Sequence, residues 1–292
     1  MLLNPRAATS LRIGAACGPF CRVPLNIVPV ASVPTVLLFG PFDPSGSTSL
    51  PADAITCAEL GCHPLAVLTG ILVQDTASTE AIEAITPELI DDQARCLLED
   101  MPVHAIKAGP LYTTESVSVL AQITADYSNI PLVVHLQRTP NLSLEDELDT
   151  EDTQAAMLEL VLPQADLVMA DQMLLQQWQS HGLLPGNTLE RAAEALLSYG
   201  ASALLISGVP GLGPKRSYLL RDENGQTNQW ASPAGEPALG TDSLLSTAIA
   251  AELARGTEVP RATEYGINIA NGMGGRVFQP GMGARIFNRS RT

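Results

Sequence analysis

The sequence predicts an α/β protein: one doubly wound, mostly parallel sheet with helices on both faces, a three-layer α/β/α arrangement. Short apolar runs alternate with stretches of helical spacing from Val33 almost to the C-terminus. Turn-forming clusters separate them, and no internal repeat interrupts the rhythm. Asp43, Gln74, Lys107-Ala108-Gly109 and Gly240 to Ser243 all follow expected strands, at the sheet end where open α/β proteins bind ligands.

Residues 1–32 show no clear period and hold Arg6, Arg12 and Arg22 among small residues and prolines. The run Ile13 to Cys17 is too short for a signal sequence, and Gly18-Pro19 breaks it. These residues read as a loosely ordered extension, with a transit peptide as the minor alternative. Residues 33–292 read as a single domain.

Val33 to Phe39 is a buried strand by its continuous apolar character. The dense turn cluster Gly40 to Ser49 follows, then a helix from about Leu50, with Ser49 as N-cap, Pro51 in the first turn and Gly61 at its end. Leu65 to Val73 is the next strand, so the first two strands should be parallel with a right-handed crossover. Helices are expected at Pro87 to Leu98, Ser116 to Tyr127, Asp152 to Leu162, Gln172 to Ser180 and Leu189 to Tyr199. Strands are expected at His104 to Lys107, Pro131 to Leu136, Leu167 to Met169 and Ala203 to Ile206. Asn224-Gly225 joins Ser217 to Leu220 with Thr227 to Ala231 as a hairpin, expected at a sheet edge. Helices Leu244 to Leu253 and Ala262 to about Met273 close the chain, and the acidic stretch Thr139 to Asp152 reads as a solvated loop.

Hydrophobic residues make up 46% of the chain and aromatics only 4%, so a large core must be built from Leu, Ala, Val and Ile. The net charge of −15 disfavours nucleic acid and anionic membrane as non-specific partners. It also obliges any nucleotide site to offset a repulsive field with local donors or Mg²⁺. Cys17, Cys21, Cys57, Cys62 and Cys96 form no zinc pattern and read as the reduced thiols of a cytoplasmic protein. No apolar run reaches membrane-spanning length.

The turn Gly240-Thr241-Asp242-Ser243 feeds directly into a small-residue helix. Such a start presents backbone N–H groups and the positive end of a dipole, which suit an anion. It resembles the Gly-Thr-Gly-Cys-Thr segment that holds the transferring phosphoryl group in the hydroxymethylpyrimidine/phosphomethylpyrimidine kinases, ribokinase-like enzymes. Asp43-Pro44-Ser45-Gly46 with Ala52-Asp53 is similar to the family's D-P-S-G…Q-A-D. Leu68-Thr69 with Gln74-Asp75-Thr76 resembles T-A-x-x-x-Q-N-T, and Lys107-Ala108-Gly109 resembles K-I-G. Their order and spacing agree over roughly residues 33 to 287.

The resemblance implies ATP-dependent, Mg²⁺-assisted phosphorylation of hydroxymethylpyrimidine and then of its phosphate in thiamine biosynthesis, by a homodimer. It implies substrate contacts at Asp43, Asp53, Gln74 and Gly109, and phosphate or nucleotide contacts at Gly240, Thr241, Asp171 and Lys215. Gln74 suits a pyrimidine edge because one amide both donates and accepts. Asp53 has two readings of equal weight, a substrate-pocket acid and a first-turn acid on the helix dipole.

Several positions depart from the family pattern. Ser243 stands at the catalytic Cys position and is a weak base unless another group activates it. Asp242 replaces a glycine. It is a displaced base or, the preferred reading, an N-cap; one residue of offset turns its side chain about 100° away from that of Ser243. Ala170-Asp171-Gln172-Met173-Leu174 resembles P-N-x-x-E, with Leu174 in place of the acid. Ser207-Gly208-Val209 resembles K-G-G without its lysine; Lys215 is a candidate substitute, though an exposed lysine in a glycine-proline loop is the preferred reading. Pro41 and Pro110 stand at the family's Gly and Met, and His135-Leu136-Gln137 at its D-P-V. His135 reads as a structural residue before a base. Two functions therefore compete: an active kinase, and a degenerate homologue that binds a pyrimidine or nucleotide as a sensor or partner subunit. A dinucleotide oxidoreductase is disfavoured, because no Gly-x-Gly-x-x-Gly follows the first strand.

Overall fold

The computed structural model describes residues 33–138, 150–211, 216–233 and 237–290. The 1–32 extension, most of the acidic loop and Lys215 lie outside the described residues, as do Cys17 and Cys21.

Strand β1 (Thr35–Phe42) is buried along all but its last residue, as a central parallel strand must be. It pairs in parallel with β2 (His63–Gln74) on one side and β4 (Ala105–Ala108) on the other. β5 (Leu132–His135), β6 (Leu167–Asp171) and β7 (Ala203–Pro210) continue the parallel order. Three antiparallel strands flank this core: β3 (Thr79–Ala84) at one edge, and β8 (Arg216–Asp222) with β9 (Thr227–Ala231) at the other. The expected late hairpin is therefore at an edge. The sheet order β3-β2-β1-β4-β5-β6-β7-β8-β9 reverses direction between β1 and β4, and a crevice opens beyond their carboxyl ends.

Alternate residues of each strand feed two cores. Leu37 and Phe39 face α2 (Pro87–Asp100), α3 (Thr114–Asp126), α5 (Gln172–Ser180) and α6 (Leu189–Ser198). Val36 and Leu38 face α1 (Ser49–Glu59), α7 (Thr241–Leu253) and α8 (Val259–Gly272). Helix α7 is buried on nearly every side, which explains its run of Ala, Leu, Ile and Ser with a single acid near each end.

Two local expectations are corrected, and three short strands are additional to those expected. The expected N-cap Ser49 is the first residue of α1, with φ 55°; Thr48 is the N-cap, and its hydroxyl turns to Asp43. The helix expected over Asp152 to Leu162 is broken into α4 (Thr150–Ala156), a π-helical turn (Met157–Val161) and a 3₁₀ turn (Leu162–Gln164), the last closed by Pro163, which has no N–H to donate. Strand β3 was not expected: Thr-Glu-Ala-Ile-Glu-Ala has low strand propensity, and pairing with the overhanging end of β2 makes it a strand. Two short strands near the C-terminus, β10 (Val277–Phe278) and β11 (Ile286–Phe287), also carried no sequence signal.

Candidate active site

The loop after β1 is organised by one carboxylate. Asp43 is fully buried, and its Oδ1 accepts from Ser45 N–H (2.8 Å) and Ser45 Oγ (2.7 Å). Its Oδ2 accepts from Ser47 Oγ (2.9 Å), Thr48 N–H (2.9 Å) and Thr48 Oγ1 (3.0 Å). Burial alone would raise its pKa, but bonds from Ser45, Thr48, Gln74 and Ser47 hold it below the usual carboxylate range. Asp43 is thus the hub of the loop, and both its oxygens are engaged there. Arg289 clamps the same loop from the C-terminal tail, donating to the carbonyls of Gly46 (3.3 Å) and Ser47 (3.1 Å). Nothing in the sequence around Arg289 signals that role.

Beneath the crevice lies a closed ionic cluster. Lys107 at the end of β4 is ion-paired with Asp53 of α1, and both side chains are almost wholly enclosed. Asp53 Oδ1 accepts from Ser243 Oγ (2.6 Å) and Thr247 Oγ1 (2.8 Å), while Lys107 Nζ lies 3.4 Å from Ser243 Oγ. Burial lowers the Lys107 pKa and the Asp53 charge pulls it back up. Asp53 therefore sits past the first turn of α1, under the site, and the helix-dipole reading is corrected. A lysine inside an otherwise apolar strand was the signal for this cluster, and Thr247 had none.

Above it is a cavity of about 560 Å³, a size that suits a small ring. Pro41, Gln74, Gly109, Tyr112, His135 and Trp178 line it, from the ends of β1, β2, β4 and β5 and from α5. Gln74 Oε1 accepts from Thr79 Oγ1 (2.9 Å), which fixes the side chain at the cavity wall. An amide so held can still both donate to and accept from a ligand. Gly109 donates its N–H to the Phe39 carbonyl (2.8 Å), holding the β4 turn against β1. His135 lies 3.0 Å from Gln137 Nε2 through Nδ1; burial, and then the charge of Lys107, keep its imidazole neutral.

A second cleft of about 630 Å³ adjoins the first. Gly240 to Ser243, Asp171, Ser207 and Arg138 line it, so the structure brings together every expected phosphate-end residue that is described. Gly240 has φ 83°, and a Cβ there would overlap the Ser47 carbonyl, so the glycine lets the α7 start close onto the first loop. Thr241 Oγ1 donates to the Ala238 carbonyl (2.6 Å), shaping the turn. Asp171 caps α5 by accepting from Leu174 N–H (2.8 Å). Asp242 caps nothing: Gly240 is the N-cap of α7, and the Asp242 carboxylate accepts from Ser207 Oγ (2.9 Å) instead. The preferred cap reading of Asp242 is corrected. Burial pushes its carboxyl up to about 6; the Ser207 bond opposes that and the Asp171 charge adds to it.

The two spaces share a wall that includes Thr48, His135 and Arg138, so molecules filling both would meet above α7. The model of the family described as phosphomethylpyrimidine kinase matches residues 43–287. The chain belongs to the phosphomethylpyrimidine kinase family. It is 28% identical over 226 residues to the hydroxymethylpyrimidine/phosphomethylpyrimidine kinase of Rhizobium meliloti, covering 75% of this chain and 82% of that one. It is 26% identical over 260 residues to a putative kinase of the same description from Schizosaccharomyces pombe, and 27% identical over 243 residues to a bifunctional chloroplastic thiamine biosynthetic enzyme of Arabidopsis thaliana. The alignments cover 82% and 80% of this chain but only 47% and 45% of those two longer proteins, so the chain spans about half their length.

Among solved structures, the fold matches the Bacillus subtilis pyridoxal kinase–ADP complex (TM-score 0.76, 20% identity, 88% of this chain and 98% of that one). It also matches the Clostridium difficile phosphomethylpyrimidine kinase (TM-score 0.64, 20% identity, 81% and 97%). Asp242, Ser243 and Ser207, three of the positions that depart from the family pattern, line the second cleft, whereas Leu174 is buried in the core.

Proposed function

We propose that this family member is an ATP-dependent kinase that phosphorylates hydroxymethylpyrimidine and its phosphate. The observation that carries the reading is the junction: a ring-sized cavity opens onto the N-terminus of α7 through a shared wall. Phosphoryl transfer asks for an in-line acceptor, charge neutralisation and backbone donors, more than for covalent chemistry. Gln74 reads the ring edge, and the cavity wall orients the hydroxymethyl group toward Ser243. Ser243 Oγ takes the acceptor's proton as its own passes to Asp53 Oδ1, along the 2.6 Å hydrogen bond. The α7 start receives the transferring group.

The donor set fits Mg²⁺, a hard cation usually held by one or two carboxylates together with substrate phosphates. Asp242 and Asp171, which line the same cleft, would hold it. Bound there, the ion would neutralise phosphate charge. Among the described residues no group of three or more His, Cys, Asp or Glu forms a metal site, so the phosphates themselves must complete the shell. Among them, too, no helix is long and apolar enough to cross a membrane. A cytoplasmic homodimer accords with this reading.

A second reading, pyrimidine binding without turnover, is favoured by one fact: Ser243 is already bonded to Asp53 within a closed cluster. ADP release from Mg-ATP, with and without hydroxymethylpyrimidine and its phosphate, separates the two. Acceptor-dependent ADP supports the kinase. Calorimetric binding of the pyrimidine without ADP release supports the second reading.

A further inference from the structure

A triphosphate approaching Asp171 and Asp242, in a chain of net charge −15, needs a fixed cation near the point of transfer. The strand β7 offers none, since Ser207-Gly208 stands where the family pattern has lysine. Lys107 is committed to Asp53 and lines neither space. His135 is held neutral. Arg216 lines the cleft only. Arg138, just beyond β5, is the one arginine or lysine among the described residues that lines both spaces.

We propose that Arg138 is the cation that receives the terminal phosphate of the nucleotide, supplied from β5 in place of the lysine missing after β7; this rests on the kinase reading. Its Nε lies 3.4 Å from Asp171 Oδ2, and its side chain is 53% exposed. Such an exposed pair contributes little and exchanges readily for a better partner. Asp171 is fixed as the cap of α5, so it holds the guanidinium over the cleft without consuming its fork of N–H donors. A guanidinium presents paired donors that match two phosphate oxygens.

The probe is inorganic tripolyphosphate with Mg²⁺, titrated calorimetrically into wild type, Arg138→Ala, Arg138→Lys and Lys215→Ala. Arg138→Ala is expected to weaken binding at least about tenfold and Arg138→Lys to recover part of it. Unchanged tripolyphosphate affinity in Arg138→Ala overturns the assignment, as does a loss confined to Lys215→Ala or no binding by wild type. ADP release judges the kinase reading separately. Turnover that survives Arg138→Ala at full rate sinks the arginine and leaves the kinase. Arg138-dependent tripolyphosphate binding without turnover keeps the arginine and sinks the kinase.

Discussion

Ser243 Oγ donates to Asp53 Oδ1 across 2.6 Å, joining the first residues of α7 to the second turn of α1 over 190 positions of sequence. The bond supplies what a serine at a cysteine position lacks, an adjacent acceptor for its proton. Thr247 donates to the same oxygen from one turn further along α7, but it does not line the cleft. The two hydroxyls are therefore alike in structure and different in access. Ser243→Ala is expected to lower turnover by at least about 100-fold, and Thr247→Ala by less than about tenfold, with similar losses of stability near 1 kcal/mol. Equal effects on turnover in steady-state assays would remove Ser243 from proton transfer.

The ion pair below is expected to behave as a buried pair does. Asp53→Ala leaves the Lys107 amine enclosed without its partner, and should cost about 3–5 kcal/mol in urea denaturation. Removing both charges with Asp53→Leu and Lys107→Met should restore most of that stability while abolishing turnover. A double variant as unstable as Asp53→Ala would show that packing, and not the lone charge, sets the cost.

Asp242 gives a pH-dependent prediction. Its folded pKa of about 6 lies above the ordinary 3.8, so its contribution is fully favourable below about pH 4 and is lost as pH rises through 6. Charging it costs stability at neutral pH, about 2 kcal/mol when its partial exposure is allowed for. Asp242→Asn should therefore be more stable than wild type at pH 8 and no more stable at pH 4, by urea midpoints. A constant difference across that range would mean that Asp242 titrates normally. Asp242→Gly additionally tests its role toward phosphate. Lost activity marks the carboxylate as a metal ligand or base, and increased nucleotide affinity marks it as a repulsive charge.

Much of this architecture is legible in the chain. Apolar runs such as Thr35 to Phe39 and the buried helix after Gly240 announce themselves by composition, because burial on both faces or all round demands it. The ordered motifs also locate the crevice. What the chain hides is the direction of side chains. That Asp43 is a loop hub and Asp53 half of a buried ion pair is not legible, because only three-dimensional packing puts Thr48, Lys107, Ser243 and Thr247 around them. Asp242 looks like a cap because sequence cannot show that Ser207, 35 positions earlier, lies across from it. Strand β3 is hidden for the same reason, since its pairing with β2 outweighs its own weak propensity.

Arg289 tests how far the C-terminal tail governs the site. It is buried, donates to the Gly46 and Ser47 carbonyls and lies 3.3 Å from Thr56 Oγ1. Arg289→Met keeps most of the volume and removes the donors, leaving buried carbonyls unpaired. A loss of about 2–3 kcal/mol is expected, together with a raised KM for the pyrimidine, because the loop that Arg289 clamps runs into Thr48 and Ser49, which line the ring cavity. If thermal stability falls while the acceptor KM stays constant, the tail serves the fold alone.

Gly240 is where the loop after β1 and the start of α7 touch. Its φ of 83° lies in the left-handed region, and any Cβ would overlap the Ser47 carbonyl. Gly240→Ala must therefore meet two costs: about 1–2 kcal/mol for the backbone conformation, and a displacement of either Ser47 or the helix start. Ser47 is not free to move, since Asp43 holds its hydroxyl and Arg289 its carbonyl. The helix start should move instead, shifting the backbone N–H groups of Asp242 and Ser243 away from the cleft. Gly240→Ala is expected to lower stability by about 2–4 kcal/mol and to weaken nucleotide binding at least about tenfold, while the pyrimidine still binds near Gln74. Calorimetry with each ligand in turn distinguishes this from general unfolding. Parallel loss of both affinities would mean that the two spaces depend on one loop and cannot be perturbed separately.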